Sequence, residues 1–335
     1  MKTPGQDPSS YGHPSAFTAI AALTAALWGL APQGLAQGYP TKPVRIIVPF
    51  PAGGPADLLG RLIAEKLQHG LGQPIVVLNQ GGAGTILGVD MAAKSSPDGY
   101  TLLLGSVAMV INSSAGRKLP YDMLKDLTPV TLAFSQPLIL VLHPSVPLDS
   151  VKKLVAFAKS NPGKLTYGSS GVGTSIHLTT ALFNNAVGIN ITHVPYKGVA
   201  PALIDLLGGQ IDLMFPGISP AVPHIKSGKL KALGVTSRTR SQALPGMPTL
   251  IELGVADFES VGWYGVLVPA GTPNAIAARL HTELTKVLTL PDVKETLARQ
   301  GGEATSSTPE RFAAFIGEEL KKWTQVIRSA NIKVE

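Results

Sequence analysis

From Val44 onward, short apolar runs alternate with longer amphipathic ones, a pattern that predicts strands joined by crossover helices on a mainly parallel sheet: an α/β fold. Residues 44–49 read as a strand, 51–55 as a loop, and 56–71 as a helix with Leu58, Leu59, Leu62, Ile63 and Leu67 at helical spacing. A second strand over 75–78 leads through a loop, 79–84, into a helix ending at Lys94. Pro97-Asp98-Gly99 then turns the chain into a third strand, 100–104. A new series begins near Pro137, with strands at 138–142, 166–169, 191–194, 211–215 and 232–236, and helices at 150–161, 175–186 and 201–207. The segment after residue 215 reads as a Pro-rich connection. The chain returns through a strand at 263–268 and helices at 274–288, 291–300 and 309–330. Phe312, Phe315, Ile316, Leu320, Trp323 and Ile327 share one face of the last helix, which is expected to dock on the first α/β unit. The expected organisation is two lobes, residues 37–136 plus 260–335 and residues 137–259.

The segment ahead of this pattern is of another kind. Residues 16–31 are apolar but fall short of the roughly 18 residues expected of a membrane-spanning helix. Gly34 and Ala36 suit the small-residue positions of a signal-peptidase site, so residues 1–36 read as an export signal cleaved before Gln37. The chain of 335 residues has no cysteine, which excludes disulfides, thiolate metal sites, cysteine nucleophiles and lipoprotein attachment. An exported protein of this size without cysteine points to a bacterial periplasm. Hydrophobic residues make up 44% and charged residues 15%, too apolar a balance for disorder. The net charge of +7 comes from scattered basic residues with no run suited to nucleic acid, and a small anionic ligand fits that distribution better.

One arrangement recurs three times: strand, Gly-rich loop, helix start. It occurs at Pro49-Phe50-Pro51-Ala52-Gly53-Gly54-Pro55-Ala56-Asp57, at Gly81-Gly82-Ala83-Gly84-Thr85 and at Ser169-Ser170-Gly171-Val172-Gly173-Thr174-Ser175. The free N–H groups of a helix start, backed by the helix dipole, bind anions without a cationic side chain. Glycines let a ligand approach the backbone, and hydroxyls add donors. In open α/β sheets such loops sit at the carboxyl ends of strands, where ligands bind, so loops in both lobes suggest a cleft closed from two sides. Gly and Ser in these loops also suit plain turns. No G-x-S-x-G elbow, H-E-x-x-H helix or Walker loop is present, and Gly82-Ala83-Gly84 with Gly88 departs from the dinucleotide spacing. Neither a cofactor nor a metal is implied. His177 follows Ser175 closely enough to be cast as a base, which leaves one alternative from another class, an exported serine hydrolase using Ser170 or Ser175 with His177. Asp57, in the first turn of its helix, is read as a dipole partner or a ligand contact. Phe50, Phe215, Trp263 and Tyr264 read as core, and any of them bordering the cleft, Phe50 foremost, supplies an apolar wall.

Several motifs follow one another in a familiar order: Val48-Pro49-Phe50-Pro51-Ala52-Gly53-Gly54 with Asp57, Gly82-Ala83-Gly84, Pro97-Asp98-Gly99-Tyr100-Thr101-Leu102, Leu119-Pro120-Tyr121-Asp122, His193-Val194-Pro195-Tyr196-Lys197-Gly198 and Asp205-Leu206-Leu207-Gly208-Gly209-Gln210-Ile211-Asp212. From about Tyr39 to its end the chain resembles the Bug-type solute-binding proteins, the periplasmic receptors of tripartite tricarboxylate transporters. The resemblance implies a two-lobed periplasmic-binding-protein fold, the type II-like Venus flytrap, whose lobes close on a small carboxylate through backbone N–H groups, hydroxyls and waters. Carried onto this chain, it assigns one carboxylate site to Ala52, Gly53, Gly54 and Asp57, with Ala83 and Gly84 nearby. The opposing lobe contributes Ser169, Ser170, Gly173, Thr174 and Ser175, with His177 behind. It implies a monomer whose partners are the membrane subunits of a transporter, or a sensor protein. This chain departs from the family pattern at Pro55 and Ala56, at Gln80-Gly81 where Arg-Pro is common, at Thr85 and near Pro216. Fewer polar groups and a lost cation point to a ligand with one carboxylate and an apolar or aromatic body rather than citrate.

Overall fold

The structure, a computed structural model, describes residue 1 and residues 38–332. The export signal expected over residues 1–36, with its cleavage before Gln37, lies outside the described residues, Met1 apart. Two sheets organise the chain from Pro40 onward. The first contains β1 (Val44–Val48), β2 (Ile75–Asn79), β3 (Thr101–Ser106), β4 (Leu127–Pro137), β10 (Val261–Pro269) and β11 (Glu303–Ala304), in the order β11-β4-β10-β3-β1-β2. The second contains β5 (Ile139–Leu142), β6 (Thr166–Ser169), β7 (Thr192–Pro195), β8 (Leu213–Met214) and β9 (Lys231–Val235), in the order β7-β6-β8-β5-β9.

The helices are α1 (Pro55–Leu71), α2 (Ile86–Ala93), α3 (Val107–Ser114), α4 (Val151–Ser160), α5 (Ser175–Val187), α6 (Val199–Leu207), α7 (Ile218–Lys226), α8 (Asn274–Thr289), α9 (Pro291–Arg299) and α10 (Pro309–Ser329). Among the described residues no helix is long and apolar enough to cross a membrane.

Both sheets are mixed rather than mainly parallel. β1 pairs in parallel with β2 and β3, and β6 with β7 and β8, as crossover helices require. The strands that carry the chain from one sheet to the other, β4 into β5 and β9 toward β10, run antiparallel to their neighbours. Three elements depart from the sequence reading. β4, eleven residues long, has no clean alternation because its pairing with β10 shifts register twice. α3 follows β3 without a break, and the sequence reading, which ended that strand at 104, assigned nothing to its apolar opening Val-Ala-Met-Val-Ile. α7 forms in the Pro-rich stretch: Pro220 falls in the first turn, where no N–H partner is needed, and only Pro223 costs an internal bond.

The last helix docks on the first sheet as its pattern suggests. Phe312, Ile316, Trp323, Val326 and Ile327 are buried against Trp263 of β10 and Met109, Val110 and Ile111 of α3. α5 belongs to both cores: its Ile176 and Phe183 pack with the second sheet, while its Leu178 and Ala181 join the cluster around Trp323. At the crossover, Leu138 N–H donates to the Thr236 hydroxyl at 2.8 Å and Thr236 N–H to the Leu138 carbonyl at 3.0 Å. Ser260 N–H closes the node on the Thr236 carbonyl at 3.0 Å.

Candidate ligand-binding site

The strand directions decide where the Gly-rich loops lie. β10 starts beside the end of β3, with Tyr264 opposite Ser106, and β4 ends beside the start of β10. β4 passes through Leu138 directly into β5, which starts where the parallel strands β6 and β8 end. The carboxyl ends of the parallel strands in both sheets therefore point toward the same crossover, and so do the helix starts that follow them.

In the first lobe the loop after β1 turns through Gly53 at φ +84° and enters α1 with Gly54 as N-cap and Pro55 as first helical residue. Leu58 N–H makes the first intrahelical bond, to the Gly54 carbonyl, which leaves the N–H groups of Gly54, Ala56 and Asp57 ahead of the ladder. Ala52 and Gly53 are exposed and Gly54 is half-buried. Asp57 is only 3% exposed; its Oδ2 accepts the Gly53 N–H at 2.8 Å and Arg61 Nε at 3.0 Å. Arg61, then the Gly53 N–H, hold its carboxyl below the ordinary aspartate range. Arg61 also reaches Asn79 Oδ1 at 3.3 Å, and Asn79 Nδ2 donates to the Phe50 carbonyl at 3.2 Å. This side-chain chain ties the loop to the end of β2. Phe50 lies edge-on to Tyr264, ring centroids 6.1 Å apart, and Tyr264 stacks on Phe134 at 5.9 Å, an apolar row along the crossover side.

The second loop of this lobe lies against the first, since a Cβ on Gly81 would stand 3.2 Å from Pro51, and one on Gly88 2.8 Å from the Pro49 Cα. Gly82, Ala83, Gly84 and Thr85 all have positive φ, a run that turns successive N–H groups to one side. Thr85, β-branched at φ +86°, is strained there. Asn112 of α3 braces the turn, donating to the Gly84 carbonyl at 2.6 Å, and Arg117 holds the Asn112 Oδ1 at 3.0 Å.

The second-lobe loop is braced more heavily. Ser169 is fully buried, and its hydroxyl contacts His193 Nε2 at 2.7 Å, the Gly171 N–H at 3.1 Å and the Gly171 carbonyl at 3.0 Å. The Gly173 N–H donates to His177 Nδ1 at 3.0 Å, and the Thr174 hydroxyl donates to the Gly171 carbonyl at 2.8 Å. The Ser169 and Thr174 hydroxyls and the Gly53 and Gly173 N–H groups, expected as free donors, are thus engaged inside their own loops. Ser170, Thr174 and Ser175 remain half-buried along the loop.

The geometry at His177 does not favour the hydrolase alternative. His177 Nδ1 accepts an amide N–H, so its proton sits on Nε2, and among the described residues no carboxylate hydrogen-bonds the ring to orient it as a base. Burial, with His193 beside it, pushes its pKa down to about 4. Two residues beyond the sequence expectations border these loops. Ser106 caps α3 at the carboxyl edge of β3, accepting the Ala108 N–H at 3.3 Å; a missed helix hid it. His193 reaches Ser169 from 24 residues away, and only its place in a quoted motif signalled it.

A family model described as "Tripartite tricarboxylate transporter family receptor" matches residues 59–332. Protein BugT of Bordetella pertussis is 38% identical over 319 residues, covering 95% of this chain and 98% of BugT. The chain belongs to the tripartite tricarboxylate transporter receptor family. Two solved structures share the two-lobed fold: an R. palustris protein with adipate, 33% identical with 88% and 99% of the chains covered and a TM-score of 0.69, and MatC from Rhodopseudomonas palustris with bound malate, 32% identical with 86% and 100% covered and a TM-score of 0.68. Like other members of this receptor family, the protein is a solute-binding receptor, and His177, held by the Gly173 N–H, fits that reading.

Proposed function

We propose that this receptor captures a small carboxylate in the periplasm, between a first lobe of residues 37–136 plus 260–335 and a second of residues 137–259, and delivers it to the membrane subunits of a tripartite transporter without bond-making chemistry. One observation carries the reading: the carboxyl edges of both sheets, each bearing Gly-rich helix starts, open onto the same crossover. The N–H groups of Ala56 and Asp57, the positive-φ turn at Ala83 and Gly84, and the Ser170 and Ser175 side of the second loop supply donors for the carboxylate. Phe50 with Tyr264 and Phe134 supplies an apolar wall, which supports a ligand with one carboxylate at the loops and an apolar body beyond it. Adipate and malate, bound to relatives, support a carboxylate as the ligand; both are dicarboxylates, so the apolar body rests on the Phe50 wall alone. Residues 1–36 are the export signal, removed before Gln37.

The test is thermal unfolding of the mature chain, refolded to strip bound ligand, against mono- and dicarboxylates with aliphatic and aromatic bodies. A ligand at 100 times its dissociation constant adds about 2.7 kcal/mol of stability. A shift for apolar-bodied acids is expected. No shift for any carboxylate would overturn the reading, and tight citrate binding with apolar acids inert would overturn the ligand class.

A further inference from the structure

Three rings lie stacked beneath the second-lobe loop, each on a different element. His177 of α5 lies face to face with His193 of β7, centroids 3.9 Å apart at 10°, and Tyr167 of β6 stacks on His193 at 4.8 Å. The two imidazoles hold the two glycines of the loop that adopt positive φ, Gly171 at +133° and Gly173 at +75°. His193 reaches Gly171 through the Ser169 hydroxyl, and His177 takes the Gly173 N–H directly.

The two bonds respond differently to a proton. A protonated His193 still donates to Ser169, whose own proton then goes to the Gly171 carbonyl. His177 has no such option, because a proton on Nδ1 would face the Gly173 N–H. Charged groups on the elements packed around the pair are engaged elsewhere: Asp205 of α6 with the Tyr196 hydroxyl, Asp212 with Thr166, and Glu319 of α10 with Lys322. Tyr167 stays neutral, its pKa raised by burial. The groups acting on each imidazole are therefore the other imidazole and the loop itself.

Resting on the receptor reading above, we infer that His177 is a positioning residue for ligand capture: its unprotonated Nδ1 fixes the Gly173 amide, and with it the Gly171–Thr174 turn, in the shape that receives the ligand, and acid opens the site by protonating it. A pKa near 4 keeps the acceptor intact at neutral pH.

The test separates loop geometry from ligand binding. In the ligand-free mature chain, the Gly173 amide resonance and its exchange protection are followed by NMR from pH 7.5 to 4. In the wild type both should change together with the His177 ring. His177→Asn, whose Oδ1 accepts the same bond without titrating, should keep the protection and lose that pH dependence. His177→Ala should lose the protection at every pH. Calorimetry with adipate at pH 7 then reads the consequence: at least tenfold weaker binding for His177→Ala, within threefold of wild type for His177→Asn. Unchanged Gly173 protection in His177→Ala, equal acid loss in His177→Asn, or equal adipate affinity in all three proteins would overturn the inference. If wild type binds no carboxylate, the receptor reading fails while the amide measurements still decide the role of His177.

Discussion

Glu319 sits on the apolar face of α10, where the amphipathic pattern expects a hydrophobe, and is 2% exposed. Its Oε2 accepts two indole N–H groups, Trp263 Nε1 at 3.1 Å and Trp323 Nε1 at 3.0 Å, while Oε1 pairs with Lys322. Both tryptophans are fully buried, so this carboxylate joins the last helix to β10 inside the core. Glu319→Ala strands both indole donors without water and takes from Lys322 its carboxylate, leaving it the Glu259 carbonyl. A buried donor without a partner costs about 1–3 kcal/mol, and the partial collapse of neighbours into the space recovers some of it, so the expected loss is about 3–5 kcal/mol. For a chain of this size, roughly 2 °C of melting temperature accompanies each kcal/mol, which makes the shift about 6–10 °C. Glu319→Gln keeps one carbonyl oxygen for the indoles and should lose about half as much. The assay is calorimetric melting of the mature chain at pH 7. An alanine variant melting within 2 °C of wild type would refute the reasoning, and so would a glutamine variant as damaged as the alanine one.

Two further outcomes follow from the loop braces. Asp57→Ala frees the Gly53 N–H and Arg61, and should cost about 1 kcal/mol in urea unfolding at neutral pH, with Asp57→Asn in between; no change would mean that the loop holds its shape without the carboxylate. His177, whose pKa falls from 6.5 unfolded to about 4 folded, leaves the unfolded chain binding more protons between those values. Stability is complete above pH 6.5 and declines as pH drops toward 4, by up to about 3 kcal/mol. Urea melts between pH 7 and pH 4.5 should show that decline in wild type and a shallower one in His177→Asn, and parallel slopes would count against it.

What the sequence makes legible follows from how local each signal is. α1 and α10 carry their own periodicity, because each buries one face of a regular helix, while β1 shows as a short apolar run, buried at four of its five positions, and α5, buried toward both cores, shows as an apolar stretch after a Gly-rich loop. β4 does not: it serves the sheet at one end and the crossover at the other, and two register shifts break its alternation. α3 is short and opens on β-branched residues, so the strand pattern of β3 runs into it, and Ser106 with its cap disappears from view. At the site, glycines and hydroxyls mark the loops because backbone conformation there demands them. Which donors remain free is invisible, since Gly53 is engaged by a residue four positions on, Gly173 by His177, and Ser169 by a histidine 24 residues away. A composition-level reading therefore finds the loops and overcounts their free donors.

The contacts between the lobes constrain how the site can close. Two strand connections cross at Thr236, and a rotation about that node changes few bonds, because its backbone partners, Leu138 and Ser260, lie on the crossing segments themselves. Away from the node the lobes meet through packed surfaces. Leu178 and Ala181 of α5 sit in the core around Trp323, Asn185 donates to the Ser329 hydroxyl at 2.6 Å, and a Cβ on Gly301 would come within 2.7 Å of the Ser219 backbone. Close-packed contacts of this kind slide or break rather than stretch. α5 is the element on which they converge with ligand capture: its N-terminus carries Ser175 and the His177 brace, and one turn later Leu178 and Ala181 grip the other lobe. On the proposed function, a carboxylate drawing the second-lobe loop toward Gly54 and Ala83 would move α5 against α10. Only its differential contacts with the open and closed arrangements can drive that shift.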